Sequence, residues 1–158
     1  MFKKIITVAS VAFMIAGCVG TMPEYNSSNS NYIVFKTPSF AYADAGFVSK
    51  ANSETKVEIY SSGQAIMRLR MTPSQICMSK LKCMSANQFN TQVLHASYPA
   101  DTLKNIFSGS EIFGGKGKQE TANGFVQSFG SIRYIVSGNS INFNDSSNGV
   151  KIKVRSLN

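Results

Sequence analysis

Ile132-Arg133-Tyr134-Ile135-Val136, Ile141-Asn142-Phe143-Asn144 and Val150-Lys151-Ile152-Lys153-Val154-Arg155 decide the fold class. Ile132, Tyr134 and Val136 alternate with Arg133. Ile141 and Phe143 alternate with Asn142 and Asn144, and Val150, Ile152 and Val154 with Lys151, Lys153 and Arg155. Successive side chains of a strand point to opposite faces, so a period of two gives each run one apolar and one polar face. Ser137-Gly138-Asn139-Ser140, between the first two runs, reads as a hairpin turn. Repeated in consecutive segments, the pattern is that of an antiparallel meander with one face on a core and the other in water.

The same pattern lies toward the amino terminus. Val57 and Ile59 alternate with Lys56, Glu58 and Tyr60, and Met67, Leu69 and Met71 alternate with Arg68 and Arg70, with Ser61-Ser62-Gly63 as the turn. Tyr32 to Val48 is rich in aromatic and β-branched residues, with Pro38 a break or edge position. Between the two sets the period changes. Ser85 with Gln88 three residues on fits a capping box that opens a short helix through Leu94. Pro99 suits a first helical turn and Asp101 its positive end. Leu103, Ile106 and Phe107 form one apolar face, and Gly109 is a natural stop. Residues 114–123 read as a polar loop. No internal repeat is found. The order of strands, helical insertion and strands predicts an α+β fold: one antiparallel sheet curled around a helical plug as an unclosed half-barrel, with Leu103/Ile106/Phe107 covering one opening.

The chain has 158 residues, one domain's worth. At 43% apolar and 15% charged residues it is not a charge-driven disordered chain. There is no Trp, and His95 is the only histidine, which excludes a His-rich metal site and argues against a Cys/His zinc cluster. The formal charge is +8; without Lys3 and Lys4, 14 basic and 8 acidic side chains leave about +6.

Residues 1–17 read as an export signal. Lys3 and Lys4 form a basic start, and Ile5 to Ile15 is an apolar stretch too short to span a bilayer. The bland alternative is a buried helix or short anchor. The ending Met14-Ile15-Ala16-Gly17-Cys18 decides between them, because an aliphatic residue, two small residues and Cys resemble the bacterial lipobox. That resemblance implies that Cys18 carries a diacylglycerol and an N-acyl chain, the only added groups expected. Each buried CH₂ of such chains contributes about 0.8 kcal/mol of anchoring. Val19, rather than Asp, follows Cys18, which points to the periplasmic side of the outer membrane. Residues 18–31 are then a lipidated Cys and a flexible tether rich in Asn and Ser, and residues 32–158 a single half-barrel-like domain.

With Cys18 lipidated, Cys77 and Cys83 remain as a pair in an oxidising compartment, where five intervening residues suit a bridge across a hairpin or short loop. A redox-active dithiol is the alternative, but such dithiols are usually C-x-x-C at a helix start. Catalytic signals are weak. Gly114-Gly115-Lys116-Gly117-Lys118 lacks the spacing and the Ser/Thr of a phosphate loop, and reads as a solvated loop. His95 has no accompanying nucleophile motif, and the eight carboxylates are scattered. No enzyme is expected. The Lys151/Lys153/Arg155 row suits the phosphates of lipid or nucleic acid, or simply the solvent face of an edge strand, and export argues against nucleic acid.

Three segments together are similar to the LolB family of outer-membrane lipoprotein receptors. They are Met67-Arg68-Leu69-Arg70-Met71-Thr72-Pro73, the stretch from Leu94 through Tyr98-Pro99 to Ser108-Gly109, and the closing runs Arg133-Tyr134, Ile141 to Asp145 and Val150 to Val154. The resemblance covers most of the mature chain. It implies an unclosed β-barrel capped by helices around an apolar cavity. That cavity takes acyl chains of client lipoproteins from a periplasmic carrier and passes them to the membrane. Leu69, Met71, Leu103, Ile106, Phe107, Tyr134, Ile141 and Phe143 are its candidate lining. The sequence departs from the family in having Ser74 and Gln75 after Pro73, where the family carries a protruding Leu, and in its Cys77/Cys83 pair. The seven Met and eleven Phe suit either an adaptable apolar pocket or ordinary core filling. The rival expectation is a structural or accessory lipoprotein of an envelope complex, without lipid transfer.

Overall fold

The computed structural model describes residues 24–79 and 81–157. The signal segment and Cys18 lie outside the described residues. Ten strands form one sheet, all neighbours antiparallel, in the order β5-β4-β3-β2-β1-β10-β9-β8-β7-β6. Strands β1 (Ser27–Lys36), β2 (Ala41–Lys50), β3 (Thr55–Ser61), β4 (Gln64–Met71) and β5 (Ile76–Met78) run outward as one meander. Helices α1 (Ala86–Val93) and α2 (Thr102–Ser108) then carry the chain to the opposite edge. From there β6 (Lys118–Thr121), β7 (Gly124–Phe129), β8 (Ile132–Ser137), β9 (Ser140–Asp145) and β10 (Val150–Ser156) return to the centre. The sheet stays open between β5 and β6, and the expected α+β fold with a curled, unclosed sheet is present at this level.

The local reasons match the residues. Ser85 caps α1, its Oγ accepting from the Gln88 N–H at 3.3 Å. Gly109 ends α2 in the left-handed conformation at φ 72°, where a side chain would be strained. In β1 and β2 the alternation buries Ile33, Phe35 and Val48, and in β8 to β10 it buries Tyr134, Phe143, Ile152 and Val154. These residues and the α2 face Leu103/Ile106/Phe107 join one apolar cluster on the concave side.

Three expectations need correction. Ser27–Asn31 is not tether but the first half of β1, because its backbone pairs with Gly46–Lys50 of β2 and Asn31 also with Ser156 of β10. Residues 114–123 are not all loop: after a 3-10 turn at Phe113–Gly115, Lys118–Thr121 forms the edge strand β6 against β7. The Lys151/Lys153/Arg155 row belongs to no edge; β10 lies between β1 and β9 at the middle of the sheet.

The register gives the sheet two ends. One, the entry end, gathers the start of β1, the β4–β5 turn, the β8–β9 turn and the end of β10. The other, the hairpin end, carries the β1–β2, β3–β4 and β9–β10 turns. At about 3.3 Å per residue the ten residues of β1 separate them by about 30 Å.

Candidate functional site

All eight residues expected to line an acyl cavity are brought into the one apolar cluster. Seven are buried outright: Leu69, Met71, Leu103, Ile106, Phe107, Tyr134 and Phe143; Ile141 is half-buried. Several of their rings are in contact. Phe107 meets Phe35 edge-on at 5.9 Å, and Tyr134 stands between Phe125 at 5.6 Å and Phe143 at 6.2 Å. Edge-to-face pairs at these separations are favourable contacts. The α2 face thus joins the apolar cluster of the sheet's concave side.

Three surface clefts among the described residues bear on the site. The larger of two mainly apolar ones, of about 390 Å³, opens at the hairpin end between the β1–β2 hairpin, β5 and the last turn of α1, with Phe40, Tyr42, Met78, Leu81 and Val93 in its wall. A polar cleft of about 240 Å³ lies at the entry end, where Asn29, Asn31, Lys50 and Asn139 surround an apolar floor that includes Phe107 and Ile141. The third, of about 260 Å³, separates Met71, Pro73 and Ile76 from Ala100, Asp101 and Lys104. Leu69, Leu103, Ile106, Tyr134 and Phe143 line none of these three. α2 therefore reaches from the β4–β5 turn to the β8–β9 turn across the entry end.

Sequence reasoning missed the apolar cleft. Two signals pointed to it. Tyr42 keeps the phase of Gly46 and Val48 on the inner face of β2, and Leu81 is a lone apolar residue in an otherwise polar loop. Leu81 is 41% exposed. Its loop is closed by Cys77 and Cys83, whose sulfurs stand at bonding distance. Ile76 and Met84 exchange backbone hydrogen bonds at 2.8 and 3.0 Å, so the pair sits across a hairpin beyond the sheet's last strand.

Buried polar groups tie the helical crossover to the sheet. Asp145, at the inner end of β9, accepts from Tyr98 Oη at 2.6 Å, Ser131 Oγ at 2.7 Å and Asn148 Nδ2 at 2.7 Å, and from the Ser147 and Asn148 N–H groups. Burial alone would raise its pKa, but hydrogen bonds from Tyr98, Ser131 and Asn148 prevail and hold it below the usual carboxylate value. Burial, with Asp145 beside it, pushes the Tyr98 hydroxyl pKa well up. Gln127 is fully buried and bonds both backbone groups of Ile112 at 2.9 Å. Lys50 Nζ donates to the Ser108 carbonyl at 3.0 Å, a cation at the negative end of α2, and its burial lowers its pKa.

The catalytic candidates gain no support. His95 is exposed and bonds Ser97 Oγ at 2.7 Å. Gly114, Gly115 and Gly117 all have positive φ and lead into a strand rather than a helix. Gly117 must lack a side chain, since a Cβ there would stand 2.4 Å from the Ser128 carbonyl oxygen. Among the described residues no three His, Cys, Asp or Glu side chains gather as a metal site, and no helix is long and apolar enough to cross a membrane. No family model matches the chain, and no curated protein is significantly similar to it.

Proposed function

We propose that the protein is a lipid-anchored lipoprotein on the periplasmic side of the outer membrane that holds an acyl chain of a lipid or client lipoprotein, in the manner of the LolB family and without catalysis. The observation that carries this reading is the apolar cleft of Phe40, Tyr42, Met78, Leu81 and Val93. Its volume of about 390 Å³ falls within the roughly 300–1,000 Å³ of small-molecule sites. The opening lies at the opposite end of the sheet, about 30 Å from the end at which the chain leaves toward Cys18.

The soluble domain, residues 19–158, holds every strand and helix of the fold. It should bind a fluorescent fatty acid, and Leu81→Glu, at a partly exposed position, should weaken binding at least tenfold with the circular dichroism spectrum unchanged. Folded wild-type protein that binds no acyl chain of any length would remove this reading. The packed interior would then favour the second one, an accessory lipoprotein of an envelope complex.

The anchor has its own test. Cys18→Ser should abolish incorporation of a fatty-acid label in cells and leave the precursor uncleaved. Label persisting in the mutant would show that Cys18 is not the modified residue.

A further inference from the structure

The net charge of the domain is concentrated on one side of the sheet. On the convex face stand Lys36 (β1), Lys56 (β3), Arg68 and Arg70 (β4), Arg133 (β8) and Lys151, Lys153 and Arg155 (β10), each alternating with inward, buried neighbours. That is eight of the 14 basic side chains that follow Cys18. Among the described residues, the carboxylates bonded to this face are Glu58, which pairs with Lys56 at 3.1 Å and Arg68 at 3.4 Å, and Glu54, which pairs with Arg70 at 2.7 Å. The other six cations and six carboxylates of the mature chain cancel, so the excess of about +6 belongs to the convex face.

Among the described residues, its middle has no ion-paired counter-charge. None of the five ion pairs among the described residues includes Lys36, Lys151, Lys153, Arg155 or Arg133. The register sets Lys36 directly opposite Lys151, then Asn144, then Arg133, in one row across four strands. Like charges directly opposite one another destabilise a sheet. The next strand, β2, turns only Ala41, Ala43 and Ala45 outward beside Lys36, Val34 and Tyr32. Short side chains there leave the flank of Lys36 uncovered by larger neighbours on β2. Tyr32 and Phe47, each 40% exposed, border it on the same face. Protein partners are generally met by an interface core depleted of charge, whereas here the centre is the charge.

The amino-terminal segment also leaves on this side. Tyr25 donates its hydroxyl to Glu54, and its ring lies under Lys56 Nζ at 4.8 Å. Six residues separate Tyr25 from Cys18, a reach of at most about 25 Å.

We propose that the convex face centred on Lys36, Lys151, Lys153, Arg155 and Arg133 is a docking surface for the anionic phospholipid headgroups of the bilayer that holds the anchor. The choice of a bilayer over other polyanions rests on the lipoprotein reading of Cys18. The charge field itself does not.

The test uses unlipidated protein, residues 19–158, with vesicles of phosphatidylcholine alone or containing phosphatidylglycerol. Wild type should partition onto the anionic vesicles only and be released in 1 M salt, where the screening length is about 3 Å. Each juxtamembrane cation contributes about fivefold in partitioning. Lys36→Gln/Lys151→Gln/Lys153→Gln should therefore bind about 100-fold more weakly. Lys82→Gln/Lys104→Gln/Lys116→Gln, equal in net charge but off the face, should stay within about twofold of wild type. Equal losses in the two triple variants, or folded wild type with no preference for anionic vesicles, would overturn the inference. Because no lipid is attached, failure of the Cys18 reading appears only in the labelling experiment and leaves this result standing.

Discussion

Phe143→Glu should unfold the domain rather than empty a binding cavity. Phe143 is wholly buried on β9, with the rings of Tyr98 at 6.1 Å and Tyr134 at 6.2 Å. Truncating a buried Phe costs about 3–5 kcal/mol, and a carboxylate left there without a partner costs several more. A domain of this size has a total stability of about 5–15 kcal/mol. Phe143→Ala should remain folded with its urea midpoint lowered by an amount equivalent to about 3–5 kcal/mol, and Phe143→Glu should show no cooperative transition. A Phe143→Glu protein that melted like wild type would mean a hydrated, open interior, and the acyl site would then be sought there instead of at Leu81.

Asp145→Ala should cost about 3–5 kcal/mol, since hydrogen bonds to a buried charged group contribute about 1.5–3 kcal/mol each and do not sum fully. It strands the Tyr98 hydroxyl, Ser131 and the β9–β10 turn at once. Tyr98→Phe removes one of these bonds and should cost about 1.5–3 kcal/mol. The pH dependence follows from the direction of the shift. The folded carboxyl titrates below its unfolded value of about 3.9. Its contribution is therefore fully present above that value and disappears as the pH falls through the lower, folded one. Urea melts between pH 7 and pH 2 should show the wild-type advantage over Asp145→Asn shrinking only at the acid end. An advantage that shrank already between pH 7 and pH 5 would contradict the assignment.

The strands with strict alternation were readable because each residue's partner is water on one side and the core on the other. Val57/Ile59, Met67/Leu69/Met71 and Val150/Ile152/Val154 all point inward as the period requires. Ser27–Asn31 was not readable: its side chains are polar on both faces, and what makes it a strand is backbone pairing with Gly46–Lys50, which composition does not encode. β6 was hidden in the same way behind Lys118-Gln119-Glu120-Thr121. The candidate site raises a different question. Alternation tells which side chains face inward but not whether the inward volume is filled, because that depends on where the α2 face docks. The apolar cleft needed tertiary structure for a similar reason. Phe40, Leu81 and Val93 belong to three elements that only the crossover brings together.

β1 and β10 meet at the centre of the sheet, with Lys36 facing Lys151 and Tyr32 facing Arg155. Among the described residues, the first strand is thus completed by the last. Each half can assemble from hairpins whose residues are near neighbours in the chain, but the seam joining the halves closes a loop of more than a hundred residues, and contacts of that range slow folding. An emerging or truncated chain without β10 has two half-sheets and an exposed β1 edge, a template for pairing with another chain. Pairing of Val150–Ser156 with β1 is therefore the step that covers this edge.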